Sequence, residues 1–229
     1  IVGFMAGWMN WFGAAVSGSL YAITFATYTV HFLKIMNVFS NINMDSYLFK
    51  KILAVIDILI FVYMNYKRVS ENGQASVYIA FGQTIVLLAM GIAGLIISFL
   101  HPDKFNNFTP FLADGWGKIL VTMGFTYIGF EGFEVISQTG EEAIEPQKNI
   151  PRAIFYSIIV VVSIYLLLAF TVVLGAEAQG MPVWQWFKEQ GATGFADVLK
   201  NLIPYGGILV TIAALLSSSS ALNATSYSA

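Results

Sequence analysis

Long apolar stretches with few or no charges constrain this chain more than any other feature. The first runs from Ile1 to Leu33 without an acidic residue, a lysine or an arginine. A helix needs ~20 mostly apolar residues to cross a bilayer, and stretches of this length fit no ordinary soluble domain. The sequence therefore predicts six membrane-spanning helices, near residues 8–33, 52–67, 75–100, 116–138, 153–176 and 205–228.

The composition indicates a multi-pass integral membrane protein. Hydrophobic residues make up 57% of the chain and charged residues 10%, whereas soluble domains average about 25% charged residues. The formal net charge of −2 gives no basic surface, so we expect no nucleic-acid partner. The chain has no cysteine, which excludes disulfides and thiol chemistry, and we predict no cofactor, no metal site and no catalytic residue.

Residues 182–203, between the fifth and sixth predicted spans, differ from the rest of the chain. Two short segments with amphipathic periodicity flank the glycines Gly191 and Gly194. We expect two short helices over one face of the membrane, with Trp184 and Trp186 at the interface. This segment acts either as a lid over a site or as a packed loop without a gating role.

The stretch Gly124–Gly140, GFTYIGFEGFEVISQTG, combines features that a simple membrane anchor does not need. Gly129 and Gly132 weaken a helix, and each of the two glutamates costs at least ~2.5 kcal/mol at bilayer depth. An interrupted helix frees backbone N–H and C=O groups, which are tolerated in a membrane only where they line a cavity or bind a ligand. The sequence therefore predicts a discontinuous helix at 116–138 that carries a binding site.

The chemistry of this predicted break suits a small zwitterion. Half-helices that meet at a break present partial charges of both signs, which match the carboxylate and ammonium groups of an amino acid. The expected substrate-binding residues here are Tyr127, Ile128, Gly129, Phe130, Glu131, Gly132, Phe133 and Glu134. The aromatic side chains among them either stack on the substrate or pack within the protein.

Glu131 and Glu134 are also candidates for coupling to an ion. They are three residues apart and would share one face of a continuous helix. Two carboxylates so close in a low dielectric resist simultaneous ionisation, so at least one of them is a candidate proton carrier. The alternative is that both glutamates cap half-helices or bond to neighbouring helices and never titrate.

The segment that follows resembles a known family. Gly132-Phe-Glu134 is followed seven residues later by the run EEAIEPQKNIPRAI at 141–154. This order and spacing resemble the sixth helix and following loop of the amino acid-polyamine-organocation (APC) permeases, whose pattern is G-F-[ED] and then E-E-V-K-N-P-x-[RK]-x-I-P-x-[AG]-I. Ala6-Gly7-Trp8 resembles the start of the third helix of that family, and the serine-rich run Ser217–Ser226 resembles the eighth.

The resemblance implies an all-α membrane bundle of the leucine-transporter type, in which two inverted repeats contain five helices each. This chain would supply helices three to eight, so we expect it to be a piece of a longer membrane domain. Half of the substrate site, on the first helix of the family, would then lie outside it. Some proton-coupled members carry a lysine in the fifth helix, whereas Gln83 stands near that position here. This departure argues against lysine-mediated proton coupling.

Small polar residues in the first and last spans are further candidates. Ser17 and Gly18 are small enough for the backbone to approach a substrate. In sodium-coupled members of the fold, the eighth helix lends hydroxyl groups to the cation, and the corresponding coupling-ion candidates here are Ser217, Ser218, Ser220 and Asn223. The alternative for both groups is close helix packing, with serine hydroxyls bonded to carbonyls of their own helix. Asp57, in the second span, is either a structural hydrogen-bonding residue or a coupling site.

Together these features predict a secondary active transporter, a permease of the plasma membrane, and not an enzyme. It would move amino acids or related organic cations by alternating access, as a proton- or sodium-coupled symporter or as an antiporter. The alternatives are a transporter-like nutrient sensor and a channel. A channel would place polar residues along several spans, whereas here they concentrate at 125–140 and 217–226. An enzyme would need a nucleophile, a base or metal ligands, and no such set is evident.

Overall fold

All regular secondary structure is helical in the computed structural model, which describes residues 2–38, 46–67, 73–112, 115–130, 132–133, 136, 143–178 and 180–228. The α-helices within these ranges are α1 (Val2–Ile35), α2 (Tyr47–Tyr66), α3 (Gly73–Phe99), α4 (Gly115–Thr126), α5 (Pro146–Gly175), α6 (Val183–Gln190), α7 (Gly194–Leu202) and α8 (Gly206–Ser228). Short 3-10 helices cover Pro102–Phe108, Tyr127–Phe130 and Gly191–Thr193. The predicted all-α fold class is confirmed.

Three helices of the described chain are long and apolar enough to cross a membrane. They are Ala80–Phe99 within α3, Pro146–Gly175 and Gly206–Ser226 within α8, with mean hydropathies of 2.1, 2.8 and 1.5. At 1.5 Å per residue, a helix of 20 residues is about 30 Å long, which equals the thickness of the hydrocarbon core. The predicted spans at 8–33, 52–67 and 116–138 remain predictions.

Helix α5 begins seven residues before the predicted span 153–176. The helix begins at Pro146, and Pro151 lies inside it. Proline suits a first helical position because its φ is already helical and its missing N–H has no partner there. Glu145, with φ of 47°, turns the chain into this position. Pro151 removes only one backbone hydrogen bond near the beginning of a 30-residue helix, so the helix continues through it.

Helices α1, α2 and α8 pack together through small side chains. The buried cluster at their contact contains Ala22 and Ala26 of α1, Ala54 of α2 and Leu222 of α8. Small residues let helix backbones approach closely, which is how helices associate in a membrane where burial gives no hydrophobic gain. This group forms one side of the bundle.

Helices α3, α5 and α7 form a second group that depends on glycine. The hydroxyl of Thr171 on α5 donates to the carbonyl of Gly91 on α3 at 2.8 Å. A Cβ atom at Gly94 would overlap the methyl group of Thr171, and one at Gly175 would overlap Leu202 of α7. The two groups of helices meet in a buried cluster of Tyr28, Met90, Ala196, Leu199 and Val210, from α1, α3, α7 and α8.

Helix α4 stands apart from this packing. Every residue from Gly115 to Tyr127 is exposed, including Trp116 (75%) and Phe125 (75%). An apolar helix that is exposed on all sides is stable only against lipid or another protein surface. The interrupted segment therefore follows a helix whose side chains are accessible.

Candidate functional site

The helix that begins with α4 loses its regular form after Thr126. Tyr127–Phe130 continues as a 3-10 helix, and Gly132 has a φ of 112°, a region that favours glycine over all other residues. The hydroxyl of Thr126 donates to the carbonyl of Met123 at 3.1 Å. The predicted interruption of the helix at 116–138 is confirmed, and the 3-10 segment ends two residues before Gly132.

The carbonyl of Gly129 is bound by a side chain from another helix. The hydroxyl of Tyr165, on α5, donates to this oxygen at 2.7 Å. A Cβ atom at Gly129 would lie 3.4 Å from the tyrosine ring, an ordinary van der Waals distance, so the ring lies directly beside the glycine. Gly129 and Tyr165 are both exposed on the described bundle, so an unpaired carbonyl here would cost about 1–3 kcal/mol only where lipid or protein, and not water, covers it.

Sequence reasoning did not identify Tyr165. Its hydroxyl stands in the apolar run IYLLLAF of α5, between Ser163 and Thr171, and a polar group among apolar residues of a membrane segment is the signal that could have found it. Its partner could not be inferred, because the two residues are 36 positions apart.

The aromatic residues predicted at the break divide into two environments. Phe130 meets the Tyr165 ring edge to face, with centroids 5.4 Å apart, and Phe133 lies 6.4 Å from Phe130. These three rings form an aromatic cluster beside the break. Tyr127 is 71% exposed and has room to contact a ligand or lipid.

The two acidic residues of the predicted site, Glu131 and Glu134, lie outside the described residues, as do Glu141 and Glu142 of the loop motif. Of Ile128 the structure describes the backbone, which belongs to the 3-10 helix. The substrate-binding and proton-carrying roles of these residues remain predictions.

Ser17 and Gly18 lie where α1 packs against α8. Ser17 is buried, and its hydroxyl donates to the carbonyl of Gly13 at 2.9 Å. A Cβ atom at Gly18 would lie 3.5 Å from Leu222 and 3.9 Å from Thr225. These small residues thus lie at the contact between α1 and α8. Their contact with a substrate remains a prediction.

The serine-rich run of α8 contains one buried hydroxyl among the predicted coupling-ion residues. Ser218 is 5% exposed, and its hydroxyl lies 2.7 Å from the carbonyl of Ala214 and 3.2 Å from that of Leu215. Ser217 and Ser220 are exposed, and Asn223 is half-buried. Bonding to a carbonyl of the same helix is what the packing alternative expects. The sodium-binding role remains a prediction.

Asp57 lies on the buried face of α2. The side chain is 4% exposed, and its Oδ2 atom has no hydrogen-bond partner among the residues that the structure describes. Ala54, one turn earlier, lies on the same face and packs against α1 and α8. One alternative for Asp57 was a structural hydrogen bond, and this oxygen does not make one within the described ranges.

A hydrogen bond joins the segment between α5 and α8 to α1. The buried hydroxyl of Tyr28, on α1, donates to the carbonyl of Ala192 at 3.0 Å. The side-chain amide of Asn107 donates to the carbonyls of Val173 and Ala176, both at 2.9 Å, and so bonds the end of α5. Trp184 is 54% exposed, whereas Trp186 is half-buried against Phe187. The α6–α7 turn is therefore held against α1.

Comparison with known proteins identifies relatives of this chain. The amino acid permease family matches it over residues 1–229. An uncharacterized protein of Methanocaldococcus jannaschii is 30% identical over 221 residues, which make up 95% of this chain and 46% of that protein. The gamma-aminobutyric acid permease of Escherichia coli is 29% identical over 174 residues (72% of this chain, 36% of that protein). A polyamine transporter of Arabidopsis thaliana is 24% identical over 208 residues (90% of this chain, 38% of that protein).

The family match agrees with the interrupted helix and the loop motif. The chain spans less than half the length of each of these three relatives. No solved structure is significantly similar to it. The match extends over every residue from Ile1 to Ala229. The chain is part of an integral membrane protein and belongs to the amino acid permease family of the APC superfamily.

Proposed function

We propose that this chain is part of a secondary active transporter of the plasma membrane that moves amino acids or related organic cations. The observation that carries the proposal is the interruption of the helix between Thr126 and Gly132. Irregular backbone at membrane depth is typical of transporters, where half-helix ends form the substrate site. Two of the relatives are named for transport of gamma-aminobutyric acid and of polyamines, which both carry amino groups.

In the proposed site, the break binds the ammonium and carboxylate groups of the substrate through the backbone. The carbonyls at the end of the 3-10 helix are the negative end of a helix dipole and suit an ammonium group. The Gly129 carbonyl already accepts a hydrogen bond from Tyr165, but an oxygen of this kind has a second lone pair. Tyr165 thus fixes the orientation of one carbonyl, and its neighbours remain for the substrate.

The packing of the helices suggests which parts move during alternating access. Gly18 of α1 lies against Leu222 and Thr225 of α8, so these two helices form one unit. The break after α4 is attached to α5 through Tyr165 and Phe130. We propose that α4 and the break rock against the unit of α1 and α8, and that the site opens alternately to the two faces of the membrane.

Transport itself is tested with the full-length protein in liposomes. The measurement is uptake of labelled amino acids and polyamines, followed by counterflow against an excess of unlabelled substrate inside. The proposal expects saturable uptake and counterflow. Currents that rise linearly with voltage and never saturate would indicate a channel, and binding without uptake would indicate a sensor.

Coupling is tested separately, because a transporter can work without it. We propose that Glu131 or Glu134 carries a proton, since the two lie three residues apart within one membrane segment. Glu131→Gln and Glu134→Gln are assayed for uptake across pH, with and without a sodium gradient. The proton role is wrong if both variants keep the wild-type pH profile. A loss of sodium dependence in Ser218→Ala would support the predicted cation site on α8.

A further inference from the structure

A polar cavity lies at the end of the bundle where α1, α2 and the α6–α7 turn meet. Its volume is about 380 Å³, which lies within the range of ligand pockets in proteins. Most of its lining is polar and comes from Thr27, His31, Lys34, Lys50, Gln190 and Thr193. The cavity is therefore built by parts of the chain that are far apart in sequence.

The charges around this cavity are mainly positive. His31 and Lys34 lie in the last part of α1, and Lys50 lies in the first turn of α2. Both lysines also have other interaction partners, but an ammonium group has three donors and can bind a ligand in addition. Among the described residues, Asp197 is an acidic residue near the cavity, and its Oδ2 lies 3.4 Å from the hydroxyl of Thr193. Of the described residues that line the cavity, two are lysines and none is acidic, so the cavity favours an anion.

The position of the cavity indicates which kind of anion it binds. The ends of the predicted spans 8–33 and 52–67 adjoin it, and these spans would place Lys34 and Lys50 at the depth of the lipid headgroups. Basic pockets between membrane helices at this depth suit phosphate-bearing headgroups. A phosphate accepts several hydrogen bonds at once, and the side chains in the described lining that carry N–H donors are those of Lys34, Lys50, His31 and Gln190. Thr27 adds no donor, because its hydroxyl is bonded to the carbonyl of Ile23 at 2.8 Å.

We propose that this cavity binds a phosphate group, supplied by a phospholipid headgroup or by free inorganic phosphate. The bound phosphate joins the ends of α1 and α2 to the α6–α7 turn, which otherwise contacts α1 through the hydrogen bond from Tyr28 to Ala192. Binding therefore holds this turn against the bundle. This site is independent of the substrate site proposed at the interrupted helix.

The experiment uses the full-length protein, delipidated in detergent, and measures ligand adducts by native mass spectrometry and the thermal midpoint. The probes are short-chain phosphatidic acid, inorganic phosphate, and a galactolipid with the same acyl chains but no phosphate. The variants are Lys50→Gln and, as a matched control, Lys51→Gln. Lys51 is the neighbouring lysine, and its ammonium group lies 4.5 Å from the Tyr47 ring centroid instead of in the cavity. Lys34→Gln provides a second variant if Lys50→Gln does not fold.

The proposal expects phosphatidic acid or inorganic phosphate to bind and raise the thermal midpoint, while the galactolipid does neither. Lys50→Gln should weaken this binding about fivefold, the effect of one lysine at an anionic headgroup, and Lys51→Gln should leave it unchanged. The comparison of phosphatidic acid with inorganic phosphate identifies the source. Equal effects of the two lysine variants, or equal binding of the galactolipid, would overturn the proposal.

Discussion

The hydrogen bond from Tyr165 to Gly129 gives the sharpest prediction, because it joins the interrupted helix to the rest of the bundle. Tyr165→Phe removes the hydroxyl and keeps the ring that meets Phe130 at 5.4 Å. The donor–acceptor distance of 2.7 Å is that of a good O–H···O bond. Such a bond contributes about 0.5–1.5 kcal/mol net, and the unpaired carbonyl that remains costs about 1–3 kcal/mol where water does not reach it.

A loss of about 1–2 kcal/mol changes an equilibrium by roughly 5- to 30-fold. If this bond holds the break in the form that binds substrate, its loss lowers the fraction of protein in that form. The apparent affinity then falls in proportion to that fraction. We therefore expect Tyr165→Phe to raise the KM for uptake by up to that factor, with a smaller change in the maximal rate. The assay is initial uptake against substrate concentration, with the full-length protein in liposomes.

Tyr156→Phe is the matched control for this variant. Tyr156 lies on the same helix, is 64% exposed, and contacts the ring of Phe155 edge to face at 5.8 Å. Its loss of a hydroxyl should leave KM unchanged. The reasoning is refuted if the Tyr165 and Tyr156 variants have the same KM as the wild type.

Two further predictions concern packing and buried polarity. Gly94→Ala should lower the stability by about 1–3 kcal/mol, because the new Cβ overlaps Thr171. Gly82→Ala, on the same helix, is the control; its Cβ meets nothing within 4 Å, so this variant should be neutral or slightly stabilising. Equal melting temperatures of the two variants would contradict the close packing of α3 and α5. Asp57→Leu, which replaces the carboxylate by an apolar group of nearly the same shape, should raise the stability by about 1–3 kcal/mol. The reason is that it removes a buried oxygen that has no partner in the described chain. A lower melting temperature of this variant would show that the carboxylate is stabilising.

The interruption of the helix could be predicted because its causes are local. Two glycines and two glutamates lie between Gly129 and Glu134, within about two helical turns. Each of these four residues by itself disfavours a membrane helix. The back-bonded hydroxyl of Ser218 was also expected as an alternative, since its partner Ala214 is four residues away. Contacts within a few residues along a helix follow from periodicity.

Contacts between helices could not be predicted in the same way. Tyr165 and Gly129 meet only because α5 packs beside the break, and nothing in either local sequence indicates the other. The roles of Gly91 and Gly94 in α3 depend on Thr171 of α5, which bonds to the first and packs against the second. The start of α5 does not follow from the sequence, because two prolines, Pro146 and Pro151, each fit a first helical turn.

The most direct test of the central claim asks whether the break contacts the substrate. A cysteine is introduced at Phe130 in a cysteine-free version of the full-length protein, and its rate of reaction with a methanethiosulfonate reagent is measured with and without transported substrate. Leu120→Cys is the control, because Leu120 lies on α4 and is 73% exposed. The proposed site predicts that substrate slows labelling at position 130 and not at position 120. Labelling at position 130 that no transported substrate changes would contradict it.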